Sequence, residues 1–299
     1  MKLCTVAYVT EYSRKQLENG SLGTVLLVHS SGMYLQFDDA VLLLCDKSWG
    51  VLPIGIAVED FQQTILRLKP QAGQTVRLQG ETLVFPGGDL TLCPLPMPAQ
   101  GQGGALPQKE LLQQAAEELA ALQRISGLSM LVLPLILGRA CPDGLKENPY
   151  FSRAYTGFAQ LTAALKADDA PAAEQISLQL LGLGVGLTPS ADDVFLGMLY
   201  LFRKLLCAPC EAVSRLQNTV FHAAERRTHQ ISAAYLKAII QGAPFERMER
   251  VYGGLCGEEP LKIEYLTQIG NNSGSEMLLG MLLAWDVCQC HLSKEEESR

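Results

Sequence analysis

Apolar positions change their spacing near residue 96. Before it they form short runs and alternations. Gly23 to Ser30 and Val41 to Cys45 are apolar runs with β-branched members, and Met33-Tyr34-Leu35-Gln36-Phe37 lies between a Ser-Gly turn and Asp38-Asp39. Thr75 to Gln79 alternates polar with apolar residues, and Gly80-Glu81 turns the chain into Thr82 to Phe85. Period-two runs bounded by Gly and Asp predict strands joined by hairpins. One helix, over roughly Glu59 to Leu68, is expected to interrupt them and to end before Pro70.

Met97 to Gln108 is rich in Pro, Gly, Gln and Ala and carries no charge, which predicts a linker or surface loop. Beyond it the spacing is helical. Helices are expected from Pro107 to Ile125, from Asn148-Pro149 towards Lys166, and from Asp169-Ala170-Pro171 to a left-handed cap at Gly182. Others should run from Ser190 to before Pro209, onward to Gly242 with a break, and from Ser273 to about His291. The expected class is α+β. A β-rich N-terminal domain, barrel-like or an open antiparallel sheet, spans 1–96, followed by a linker over 97–108. An all-helical domain then spans 109–293, and a charged tail 294–299.

The chain has 299 residues, of which 48% are hydrophobic and 18% charged, enough for a sizeable core. Its net charge of −7 argues against a nucleic-acid partner, which needs clustered Lys and Arg. The start lacks a basic region followed by an apolar stretch, and runs such as Leu131 to Leu137 are too short to span a bilayer. A cytoplasmic protein without membrane partners is expected. The nine cysteines then belong to a reducing compartment. Cys207-Ala208-Pro209-Cys210 and Cys288-Gln289-Cys290-His291 do not make a standard zinc pattern, and the cysteines read as small buried side chains.

The chemistry concentrates in Gly182-Leu183-Gly184-Val185-Gly186-Leu187-Thr188-Pro189-Ser190-Ala191-Asp192-Asp193. Alternating glycines let backbone approach a ligand, and a helix start suits an anion. The spacing is not that of a dinucleotide fingerprint, because Leu187 stands where the third glycine belongs, nor is there a Gly-Lys-Ser/Thr. Asp192-Asp193 would repel a phosphate unless a cation intervenes. Either they hold a magnesium-like ion, or they take the amino or amide end of a substrate, or they only favour the helix dipole. Successive helical residues point about 100° apart, so only one of the two should face the side of Ser190. Ser190-x-x-Asp193 also reads as a plain capping box with Asp in place of Glu.

A second copy strengthens the functional reading. Ser190 to Leu199 aligns without gaps to Ser273 to Leu282, matching the serine, the acid three residues on, and Leu-Gly-Met-Leu. Gly270-Asn271-Asn272 precedes the second copy as a glycine turn precedes the first. Gly197 and Gly280, mid-helix at equivalent positions, point to close helix packing. Thr228, Ser232 and Tyr235 fall on one face by the i, i+4, i+7 rule. Such hydroxyls also bond back to the preceding turn. His29-Ser30-Ser31-Gly32 is a weaker candidate.

These motifs resemble a bacterial family of domains of unknown function, loosely labelled as carboxylases. Its hallmarks are Gly-x-Gly-Leu-Thr-Pro-Ser-x-Asp-Asp, a helix with Thr-x-x-x-Ser, and a late Gly-x-x-Ser-Gly-x-Asp-x-Leu-x-Gly segment. The family includes the smallest subunit of oxamate carbamoyltransferase, a three-subunit enzyme of anaerobic allantoin breakdown. Gly184, Gly186, Leu187, Thr188, Pro189, Ser190, Asp192 and Asp193 match; Ala191, Asn271, Asn272 and Glu276 depart from commoner Gly, His, Thr and Asp. The resemblance implies a subunit in carbamoyl transfer, inactive alone, working with two other subunits on a small anionic substrate such as carbamoyl phosphate or oxamate. The substrate-binding set would be Gly184, Gly186, Thr188, Ser190, Asp192, Asp193, Thr228, Ser232, Asn271, Ser273, Gly274 and Glu276. No catalytic residue is singled out, and no cofactor is required, magnesium at Asp192 and Asp193 being the one candidate. The alternatives are a non-catalytic assembly subunit and a component of a related carboxylase or lyase.

Overall fold

A computed structural model describes residues 5–17, 22–95, 105–124, 126–143, 145, 148–205 and 210–297. The chain divides into two compact units, one of residues 1–100 with 242–246, the other of 101–241 with 247–299. Most of the expected linker, together with Cys207, lies outside the described residues.

In the first unit the described residues form eight strands: β1 (Thr5–Val9), β2 (Leu22–His29), β3 (Gly32–Phe37), β4 (Ala40–Asp46), β5 (Gly55–Val58), β6 (Thr75–Gln79), β7 (Thr82–Phe85) and β8 (Gly88–Pro94). They close into a barrel in the order β1-β5-β4-β3-β2-β6-β7-β8. The hairpins read from the sequence are the antiparallel pairs β2–β3, β3–β4, β6–β7 and β7–β8. The sheet is closed and mixed rather than open and antiparallel. β1 runs parallel to β8, with Ala7 opposite Leu92, and β4 runs parallel to β5. Closure leaves no unpaired edge.

Alternation along β6 sends Val76 and Leu78 inward. β4 is buried from Val41 to Cys45, and α2 (Phe61–Leu68), whose buried residues are Phe61, Thr64 and Leu68, packs against β4 and β8. Asp60 caps α2 by accepting from the Gln63 amide, and Lys69 ends it in a left-handed conformation before Pro70. A short α1 (Glu11–Lys15) follows β1, capped by Thr10.

The described residues of the second unit form helices and connecting loops, with no strand. It comprises α3 (Lys109–Ala121), α4 (Val132–Leu135), α5 (Phe151–Ala167), α6 (Ala170–Leu180), α7 (Ser190–Leu205), α8 (Glu211–Arg227), α9 (Gln230–Ile240), α10 (Glu246–Leu255), α11 (Glu264–Thr267) and α12 (Ser273–Glu297). α10 begins on Glu246, the last residue of the segment that joins the first unit. Asp169 caps α6 through the Ala172 amide, and Gly182, at φ 82°, turns the chain after it. α12 runs past His291 to Glu297, since no Gly or Pro stops it and Lys294 reaches the Lys166 carbonyl (2.8 Å). No helix among the described residues is long and apolar enough to cross a membrane.

α7 is buried on every side from Ala191 to Phe202, as a helix through the middle of a core must be. Its main neighbour is α12. A β-carbon on Gly197 would lie 1.9 Å from the Met277 carbonyl oxygen, and one on Gly280 would lie 2.0 Å from that of Val194. The helices therefore cross at Gly197 and Gly280, and since Thr188, just before α7, lies 3.4 Å from Ser273, the first residue of α12, they start side by side and run in the same direction.

Candidate functional site

The two helix starts form one cluster. Thr188 Oγ1 lies 3.4 Å from Ser273 Oγ, and both hydroxyls face the carboxylate of Asp193. The Ser190 hydroxyl lies against Glu276 instead. Each serine thus serves the acid of the other helix. The ordinary capping box, in which Ser and acid belong to one helix, is exchanged between two.

Asp193 and Glu276 are 0% and 1% exposed. Neither carboxylate oxygen of Asp193 makes a hydrogen bond of ordinary geometry, although the Ser273 and Thr188 hydroxyls lie against it. Burial, and then the neighbouring Glu276, push its pKa well above the usual carboxylate range, against the pull of the Ser273 and Thr188 hydroxyls. Glu276 Oε1 accepts from the Leu128 amide (2.8 Å); burial raises its pKa, opposed by that amide and by Ser190. Thr188, Ser190, Asn272 and Ser273 are half-buried above this floor, while Val185, Gly186, Leu187 and Asn271 form an exposed rim.

Asp192 points elsewhere. Its Oδ1 accepts from the Gly182 amide (2.7 Å), and its Oδ2 from the hydroxyls of Ser232 (2.6 Å) and Thr228. Thr228 and Ser232 therefore meet on Asp192 and not on the Asp193 side. They do not share one continuous helix: Thr228 ends α8 in extended backbone, and His229 caps α9. This knot fixes the glycine turn to the α8–α9 junction. Burial raises the Asp192 pKa despite its three donors.

The glycines divide by role. A β-carbon on Gly182 would strike the Arg227 carbonyl at 2.2 Å, and one on Gly184 the Ser190 nitrogen at 2.4 Å. Gly186, at φ 93°, has nothing within 4 Å of that position and leaves its backbone open. Gly274 packs on the Leu266 carbonyl, 1.7 Å from where a β-carbon would stand. The first amides of α7 are not free, because Ala191 donates to Leu183 (2.9 Å), and Asp192 and Asp193 donate to Pro189 (2.8 and 3.2 Å).

Sequence reasoning missed the segment that closes the other side. Arg124 donates to the Asn271 carbonyl (2.5 Å), Asn272 Nδ2 to Ser126 Oγ (3.1 Å), and Gly127 abuts Glu276 and Asn272. No local pattern marks these residues, since they lie in an irregular stretch after α3.

Residues 180–285 match the family model described as oxamate carbamoyltransferase subunit AllH. Over that stretch the chain is similar to this family. The matched segment runs from the end of α6 into α12, so it contains both serine-acid helix starts, the glycine turn and the Asp192 knot. No solved structure matches the chain.

Among the described residues no group of three or more His, Cys, Asp or Glu side chains is arranged to hold a metal ion. Cys210 Sγ contacts Asp168 Oδ1 (3.0 Å) and His291 Nε2 (3.6 Å), but His291 Nε2 also lies 2.9 Å from the Leu165 carbonyl. Donating there leaves that nitrogen no lone pair for a metal. His29 belongs to the first unit, where it lies beside Ser31 and Tyr34.

Proposed function

We propose that the chain is a subunit of a carbamoyltransferase complex of the oxamate type, inactive alone, which binds a small anionic substrate at the glycine turn before α7. Carbamoyl phosphate and oxamate are the two candidates. The family match supports the transferase assignment. The observation that carries the site is the meeting of Thr188, Ser190 and Ser273, from two separate helix starts, above Asp193 and Glu276.

With the first amides of α7 already engaged, the groups left to a ligand are the three hydroxyls and the open backbone at Gly186. Hydroxyl donors aimed at a phosphoryl or carboxylate oxygen stabilise charge as it develops. In the transfer, the oxamate nitrogen forms a bond to the carbamoyl carbon, the carbon–oxygen bond to phosphate breaks, and the nitrogen loses a proton. No nucleophile from the protein is needed, so this chain's residues bind and orient.

The assembly reading has its own support: Val185 and Leu187, at 68% and 37% exposed, put apolar side chains on the same turn, where a partner subunit could cover them. Phosphate release from carbamoyl phosphate and oxamate distinguishes the two. Turnover should need this chain together with the other subunits, and Thr188→Val should lower it without dissociating the complex. Robust turnover by the chain alone would overturn the subunit reading. Full turnover by an assembled Thr188→Val complex would favour the assembly role.

A further inference from the structure

We propose that the paired helix starts hold a hard, magnesium-like divalent cation between Asp193 and Glu276, with the hydroxyls of Thr188, Ser190 and Ser273 around it. Two acids from different helices are buried beside one another, and no ion pair between described residues includes either. Asp193 is the decisive residue: it is 0% exposed, and neither of its oxygens makes a hydrogen bond of ordinary geometry, the Thr188 and Ser273 hydroxyls beside it included. A buried carboxylate without such bonds is costly. A shared proton would remove one charge but engage only one oxygen of Asp193. A divalent ion neutralises both acids and engages their oxygens together. The donors are all carboxylate or hydroxyl oxygens, the set that suits magnesium rather than zinc.

The ion would also change what the floor attracts. Two carboxylates, two helix starts of roughly +0.5 each and a divalent ion sum to about +1. The acids that would repel a phosphate then become part of a site that draws one. That coupling rests on the reading of an anionic substrate; the ion itself does not.

The test is titration of the full chain with Mn2+ alone, followed by electron paramagnetic resonance, with Mg2+ as competitor and no substrate present. We expect one bound Mn2+ per chain, displaced by Mg2+. Asp193→Asn and Glu276→Gln should each weaken it by roughly tenfold or more, since ligand charge sets affinity. Ser273→Ala removes a single hydroxyl; it should weaken binding less and keeps the test open if an acid variant does not fold. Asp286→Asn, at the ion pair with Lys166, should bind as the wild type does. No binding at millimolar Mn2+ would overturn the proposal in favour of a shared proton. So would binding that Asp193→Asn, Glu276→Gln and Ser273→Ala leave unchanged. Because no substrate is used, failure here leaves the carbamoyl-transfer reading standing.

Discussion

Gly197 and Gly280 are mutual contacts, each lying on the backbone that precedes the other by three residues. The distances of 1.9 Å and 2.0 Å from their missing β-carbons to the Met277 and Val194 carbonyl oxygens leave no room for a methyl group. The obstacle is backbone, which cannot rotate aside as a side chain can. The close crossing holds Ser190 and Ser273 at one end of a helix pair, where each reaches the other helix's acid.

Gly197→Ala and Gly280→Ala should each therefore destabilise the protein, although alanine is the better helix former. Overpacking of this kind costs about 1–3 kcal/mol. In a domain of this size that is a fall of at least roughly 2–4 °C in Tm, measurable by calorimetry. An unchanged Tm for both variants would mean that the helices do not cross this closely.

Asp192 should behave as a tie between elements. Asp192→Ala removes the acceptor for Gly182, Thr228 and Ser232 at once, and each buried donor left unpaired costs about 1–3 kcal/mol. The expected result is a large loss of stability, with early hydrogen exchange at the Gly182 amide. Thr228→Val, which removes one donor and keeps the shape, should cost far less. Equal stability of Asp192→Ala and the wild type would contradict the knot.

Cys210 should be chemically quiet. Burial, and then the Asp168 carboxylate bonded to it, push its thiol up to about 11. Below that value the thiol stays protonated, so alkylation by iodoacetamide in the folded protein at pH 8 should be slow. Asp168→Asn removes the negative neighbour, lowers the thiol pKa and should speed alkylation. A rapid wild-type reaction at Cys210 under native conditions would refute this environment.

Much of the helical unit was legible because its signals are local. Asp169 with Pro171 marks the start of α6, and the repeat of Ser-x-x-acid followed by Leu-Gly-Met-Leu marks the shared beginning of α7 and α12. The hairpins of the barrel announced themselves through Ser31-Gly32 and Gly80-Glu81. What stayed hidden is non-local. Nothing in the alternation of β1 says that it pairs in parallel with β8, a partner more than eighty residues away. Position in a helix could tell that Asp192 and Asp193 diverge, but not that Asp193 would face Ser273. The exchange of capping partners, and the closing segment at Arg124, Ser126 and Leu128, depend on which elements meet in space.

The central claim is that the two helix starts form one working site. The most direct measurement is kcat for carbamoyl transfer by the assembled complex carrying Ser190→Ala, Ser273→Ala, or both, with assembly checked by gel filtration. If the serines act on one site, each single variant lowers kcat. The double variant then falls short of the product of the two effects, because neighbours in one network are not additive. Wild-type kcat in both single variants, with the complex intact, would contradict the account.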